Sequence, residues 1–436
     1  MSDSLKVLMM GGPRTGKTSA LAGLVDSMIN GEVNKLISVR DVTEGDAVKQ
    51  KLAQKVEHLK ETLKQSYGKT IIVDDSSTNA YQRYVIEFAI PGTDGKMDIV
   101  FTDANGEFFE SGREHSSEIC QMIKDSDVFV IAIDTPSLME AVNPENLLMN
   151  EAVNKAINNV SDIHNFITYL DDKDGADAKM VIFVPLKCEK WAQEGKLDEV
   201  ACRVKDVYAV PIQALSNFKN VEVDIIPIQT VGSIVFSEHL KSYLCLHGND
   251  TPLRCSLADG KKKVRFADGS ERVVDGTKDK FVIDPQSPVR EGSSILRPNS
   301  WFKVVSKSYS PHNCEQLAYY ILRFVLAKYL FVKEIENRKE KEKEKRNLLW
   351  KIKNAGKVVV NVTKAVIKEI DDFKEYPTAE GIITAIDNIF RIVVRYFGTI
   401  NYEQLRNLVS SLNEQSMIKS KDEGICCLKK SLLSYD

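Results

Sequence analysis

GGPRTGKTS, Gly11 to Ser19, follows directly on the apolar run Val7 to Met10 and fits the pattern GxxxxGK[ST]. The letters follow from phosphate chemistry. Glycines let backbone N–H groups turn inward around a phosphate, Lys17 reaches the terminal phosphates, and Thr18 offers a hydroxyl to magnesium. Ser19 to Ile29 is compatible with a helix, whose positive dipole end adds to the attraction for a polyphosphate. The stretch Gly11, Gly12, Pro13, Arg14, Thr15, Gly16, Lys17, Thr18 and Ser19 is therefore a candidate nucleotide-binding loop, with Arg14 directed either at phosphate or at solvent.

Composition sets the frame around this loop. The chain has 436 residues, 43% hydrophobic and 28% charged, enough for a large core and roughly two or three structural units. A formal net charge of −3 gives no global attraction to nucleic acid or anionic lipid. The eight cysteines lack CxxC spacing, so reduced thiols and a cytoplasmic location are expected. MSDSLKVLMMGG carries too short an apolar stretch for a signal peptide. The most apolar helix, around Leu317 to Val332, is interrupted by Arg323 and Lys328, so membrane contact is not expected.

Five further short apolar runs follow: Tyr84 to Ile90, Met97 to Asp103, Val128 to Asp134, Lys179 to Leu186 and Val223 to Gln229. Most are continuously apolar, as parallel strands covered on both faces require. Helical stretches over Gly45 to Tyr67, Glu114 to Lys124, Asn146 to Asp171 and Leu197 to Tyr208 separate several of them, which predicts a three-layer α/β/α domain with a mostly parallel sheet. PGTDGK between the Tyr84 to Ile90 and Met97 to Asp103 runs predicts an antiparallel hairpin at one edge.

Two more segments lie where nucleotide chemistry needs them. Met97 to Asp103 ends in DANG, which puts a carboxylate at a strand terminus to hold magnesium and lets Gly106 approach a γ-phosphate; alone, DxxG is usually an ordinary turn. The strand ending at Leu186 runs into LKCE, where the Lys187 stem can lie against a base and Glu189 can accept from a base N–H; alone, this pair is more often a solvated helix start.

The order of these segments resembles the TRAFAC-class P-loop GTPases, which include Ras-like, translational and septin-like proteins. GGPRTGKTS is similar to their phosphate loop, DANG to their DxxG switch, and LKCE to a degenerate NKxD base motif, with VDIIPIQTVG at the place of the last specificity strand. The resemblance implies that Lys17 and Thr18 bind phosphate and Mg2+, that Asp103 supports the ion, that Gly106 senses the γ-phosphate, and that Thr230 and Val231 line the base. Thr78, from Thr43, Thr70 and Thr78, is assigned as the switch threonine at the metal. Glu107 stands where the family commonly has a water-orienting glutamine, which implies slow or partner-dependent hydrolysis. Leu186 replaces the asparagine and Glu189 the aspartate of NKxD, which leaves guanine against adenine open. A narrower resemblance is to poorly characterised bacterial GTPases of conflict and defence systems, through DANGE, KCE and NCEQ at Asn313 to Gln316.

Beyond Tyr243 the composition changes. Residues 248 to 300 read as an insertion with a hairpin in KVRFADGSERVV, and Cys245, His247 and Cys255 have no standard metal spacing. Ser310 to Phe331 reads as a helix that completes the 1–247 domain. Residues 334 to 436 read as a helical region, with apolar stripes from Leu348 to Ile370, Ala379 to Phe397 and Leu405 to Leu412, and with Cys426 and Cys427 in a reduced tail. The expected function is a GTP/GDP switch with Mg2+ that hydrolyses GTP and signals to a protein partner through its switches or helical tail, without nucleic acid. The alternatives are an ATPase or nucleotide kinase, and a nucleotide-bound interaction protein with little hydrolysis.

Overall fold

The computed structural model describes residues 4–31, 33–36, 38–72, 81–89, 96–104, 116–144, 146, 149–167, 170, 178–218, 220–240, 261–265, 271–275, 290–291, 294–295, 299–326 and 424–429. Its strands are β1 (Leu5–Met10), β2 (Ser38–Asp41), β3 (Thr70–Ile72), β4 (Gln82–Ala89), β5 (Lys96–Asp103), β6 (Val128–Asp134), β7 (Lys179–Leu186), β8 (Val221–Ile225), β9 (Ile234–Leu240), β10 (Lys261–Arg265), β11 (Glu271–Asp275), β12 (Arg290–Glu291), β13 (Ser294–Ile295), β14 (Asn299–Val304) and β15 (Cys426–Lys429). The helices are α1 (Lys17–Asn30), α2 (Val33–Leu36), α3 (Asp46–Ser66), α4 (Ser116–Asp125), α5 (Thr135–Glu140), α6 (Glu151–Ile157), α7 (Val160–Ile167), α8 (Glu189–Gln193), α9 (Leu197–Val207), α10 (Ala209–Ser216) and α11 (314–326).

Eight strands form one sheet in the order β15-β8-β7-β6-β1-β5-β4-β2, with β8, β7, β6, β1 and β5 parallel. Period-two alternation explains why the central strands are apolar throughout. Val7, Met9, Val128, Val130, Met180 and Ile182 face α1 and α11, where Leu21, Leu24, Leu317, Ile321 and Phe324 complete one core. Leu8, Met10, Phe129, Ile131, Val181 and Phe183 face the opposite layer, with Ile123, Ile163, Val200, Val204 and Leu215. This is the three-layer α/β/α fold of P-loop NTPases.

Several expectations need correction. The β4–β5 hairpin is antiparallel as expected, but β2 pairs outside β4 and is the actual edge. Asn146 to Asp171 is not one helix. It breaks at Asn158 and Asn159, where Asn159 takes φ 48°, and the Asn158 side chain turns back to the end of β6. The strand placed at Val223 to Gln229 runs from Val221 to Ile225, although Ile226 and Ile228 still donate to β7 carbonyls at 2.9 and 2.8 Å. A second, antiparallel sheet, β3-β14-β9, joins strands on either side of the 248–300 segment, within which β10 and β11 form the expected hairpin.

The largest correction is at the C-terminus. Cys426 and Cys427 are not part of a helical tail; they begin β15, which pairs antiparallel with β8. Ile425 is buried in the core that α1 and α11 share, and the Lys429 ammonium donates to the carbonyls of Leu215 and Phe218. Backbone pairing with an open sheet edge and one buried isoleucine outweigh the weak helical pattern of so short a segment. The apolar stripes expected between Leu348 and Leu412 lie outside the described residues. Among the described residues no helix is long and apolar enough to cross a membrane.

Candidate nucleotide site

The carboxyl ends of β1, β5, β6 and β7 open side by side at one edge of the sheet, the place where parallel α/β folds bind ligands. After β1 the chain must turn under the end of β6. Gly11 has φ 133°, and a Cβ there would fall on the carbonyl oxygen of Ala132, so only glycine fits. Lys17 lies across the loop, its ammonium donating to the carbonyls of Gly11 at 3.0 Å and Gly12 at 2.8 Å. Thr15 braces the same loop through Gly12 O at 3.0 Å. Arg14 is exposed with φ 61°, and its backbone carbonyl accepts from the Lys187 ammonium.

The register of β1 and β5 sets Met9 beside Asp103, which brings the loop to the DANG carboxylate. The Thr18 hydroxyl donates to Asp103 Oδ2 at 2.6 Å. Asp103 is fully buried, and its Oδ1 has no hydrogen-bond partner among the described residues. Burial raises the Asp103 pKa, opposed by the Thr18 hydrogen bond and by the charges of Lys17 and Lys51. A hydroxyl and a carboxylate with one oxygen still open are the hard donors that magnesium takes directly or through water, so these residues fit the ion. Gly106, Glu107 and Thr78 lie outside the described residues.

The LKCE segment is held by its own polar contacts. Lys187 takes φ 62°, and its ammonium pairs with Asp134 Oδ1 at 2.8 Å and donates to Arg14 O at 3.1 Å. Burial alone would raise the Asp134 pKa, but the charge and hydrogen bond of Lys187 and two bonds from Ser137 outweigh it and hold the carboxyl below its usual range. Asp134 was not singled out from the sequence. Its signal was the same as that of Asp103, a carboxylate at the last position of a parallel strand. Leu186, at the position of the missing asparagine, is fully buried, and the Lys187 ammonium now makes the link between base motif and phosphate loop.

Glu189 is also buried, and it does not stand open toward a ligand through both oxygens. Its Oε1 accepts from the backbone N–H groups of Val231 at 2.9 Å and Gly232 at 3.1 Å. Burial raises its pKa against those two donors. Thr230 Oγ1 accepts from Lys187 N at 3.2 Å. The base motif and the 230–232 loop are thus fastened to each other. Asn313, which opens α11, reaches Pro227 O at 2.9 Å and holds the strand that leads into this loop.

Gly16, Ser19, Lys187, Glu189, Thr230 and Val231 line one pocket, so residues assigned from three separate motifs do converge. Its remaining walls are Leu59 of α3, Ile234 of β9 and Phe302 of β14, none of which the motifs indicated. The cleft is open to solvent and holds about 30 Å³ of free space at its core.

Residues 7–207 match the family model described as Double-GTPase 2 (DO-GTPase2). Similar solved structures include the S. cerevisiae Ski7 GTPase-like domain bound to GTP, with 16% identity and a TM-score of 0.29 over 51% of this chain and 42% of that one. The chain therefore spans less than half the length of the Ski7 chain. A signal recognition particle receptor SRb-GTP/SRX complex from Chaetomium thermophilum aligns with 11% identity and a TM-score of 0.28, over 52% of this chain and 92% of that one. No curated protein matches the chain. From residue 7 to residue 207, the stretch that holds the phosphate loop, Asp103 and the Lys187–Glu189 motif, the chain is similar to the P-loop GTPases of the Double-GTPase 2 family.

Proposed function

We propose that the protein is a magnesium-dependent GTP switch that hydrolyses GTP slowly or only with a partner. The observation that carries this is the Thr18–Asp103 contact at 2.6 Å, with Asp103 Oδ1 buried and open. Magnesium bound there would neutralise charge on the β- and γ-phosphates. The chain's own groups supply the rest. Lys17 already points its ammonium into the loop, where phosphate oxygens can replace the carbonyls of Gly11 and Gly12 as its partners. Lys187, held between Asp134 and Arg14 O, joins the base side of the site to the phosphate side. Glu107 carries a charge where a neutral water-orienting group serves hydrolysis better, which supports a low intrinsic rate. By the family resemblance, magnesium and GTP would act on the loops around Thr78 and Asp103 to Glu107, and a protein partner or the C-terminal region would read that change.

A second reading, ATP use, is favoured by one observation: Glu189 Oε1 is committed to the Val231 and Gly232 N–H groups, and Leu186 cannot hydrogen-bond. Titrations of fluorescent GDP and ADP with and without magnesium separate the two. Tighter ADP binding refutes the GTP assignment. Single-turnover phosphate release should be faster for wild type than for Lys17→Ala in the presence of the physiological partner, and equal rates refute the switch. The narrower likeness to bacterial conflict systems rests on Glu107, Lys187 to Glu189 and Asn313 to Gln316, and is tested by the genes that neighbour this one.

A further inference from the structure

We propose that Phe302 and Ile234 form the apolar wall against which a purine base lies, so that base retention depends on strands outside the 7–207 stretch. This rests on the nucleotide assignment of the same pocket. The pocket joins a phosphate side, Gly16 and Ser19, to a polar side, Lys187, Glu189 and Thr230, and then to these two apolar side chains. A flat, apolar body with a hydrogen-bonding edge and a phosphate tail matches that order of surfaces.

Two features set Phe302 in the pocket wall. The β14–β9 pairing is irregular beside it, Ser237 of β9 being skipped between the Trp301 and Phe302 pairs. The ring is then fixed by an aromatic series: Phe302 meets Phe236 edge-on at 5.9 Å, and Phe236 stacks on Trp191 at 5.9 Å. Trp191 is in α8, the helix that Glu189 begins, so the series ties the wall to the base motif itself. The Lys187 ammonium lies 5.9 Å from the centroid of the Phe302 ring, so the ring borders the charged group of the site. Ile234 starts β9 only two residues after Gly232, whose N–H Glu189 accepts.

The cleft is open to solvent, and Leu59 of α3 lines it together with Ile234 and Phe302.

The test measures GDP and inorganic tripolyphosphate affinity for wild type, Phe302→Leu and Phe302→Trp. Leucine keeps the apolar burial that Phe302 provides, with 4% of its surface exposed, and removes only the aromatic face. Phe302→Leu should lose roughly tenfold in GDP affinity, tripolyphosphate should bind unchanged, and Phe302→Trp should restore GDP. Unchanged GDP binding by Phe302→Leu overturns the wall while leaving the nucleotide assignment intact. An equal loss for both ligands also overturns it, since the ring would then only support the fold. If wild type binds GDP no better than Lys17→Ala does, the nucleotide assignment fails and the wall with it.

Discussion

Acid should weaken this fold through His239, one of the few titratable groups buried beside the site. The ring sits on β9 with 6% of its surface exposed and packs tilted against Phe236 at 4.9 Å. Asn146 Nδ2 lies 2.9 Å from His239 Nδ1 and can only donate, so Nδ1 is the acceptor and the neutral ring carries its proton on Nε2. Adding a second proton would break that bond. Burial lowers the pKa from 6.5 to about 4, although Asp134 and Glu140 pull it upward; Lys187 and Lys190 add to the lowering. The unfolded chain takes the proton first as pH falls, so stability is full above 6.5 and is lost on the way down to about 4. The complete loss is roughly 3 kcal/mol, of which about 2.5 kcal/mol is gone near pH ~4.5. Urea unfolding of wild type and His239→Gln at about pH 7.5 and about pH 4.5 isolates this group, because Asp134 and Glu140 titrate in both proteins. Glutamine keeps an acceptor for Asn146 and does not titrate. Wild type should lose about 2.5 kcal/mol more than the variant across the interval. Parallel losses in the two proteins would refute the linkage.

Two further outcomes concern the far side of the sheet. Arg323 of α11 donates to Glu222 of β8, its guanidinium lies 4.8 Å over the Tyr320 ring, and both partners are largely buried. Arg323→Met should therefore cost about 3–5 kcal/mol in chemical denaturation, with much of the loss recovered by adding Glu222→Leu; strict additivity of the two would show that the pair is not coupled. Gly424 takes φ 68°, and a Cβ there would meet Leu197 O at 2.5 Å. Gly424→Ala should release β15, seen as faster hydrogen exchange of Val223 to Ile225 and of Cys426 to Lys429, while exchange in β1 and β6 stays slow. Unaltered protection at β8 would mean that β15 contributes little to that edge.

The phosphate loop was legible because its constraints are local. Gly11, Lys17 and Thr18 are adjacent in the chain, and a strand, a turn and a helix start follow from their own periodicity and backbone preferences. Asp103 was legible for a related reason, since the end of a parallel strand places a carboxylate in one predictable plane. Asp134 meets the same criterion but belongs to no recognised motif. The site's geometry needed the register of β1 against β5 and of β6 against β7, which sets Asp103 beside Thr18 and Asp134 beside Lys187.

What the chain's letters determined alone is the α/β/α core, its nucleotide loop and the short segments that face it, because each depends on period-two burial or on neighbours a few residues apart. What only tertiary structure decided is which apolar residues line the pocket and where residues 424–429 pair. Leu59, Ile234 and Phe302 come from three elements separated by up to most of the chain, and β15 returns to β8 after an excursion from α11. Burial against such distant partners has no period and no local motif, so it becomes visible only when the sheet edges and their unpaired backbone groups are set in space.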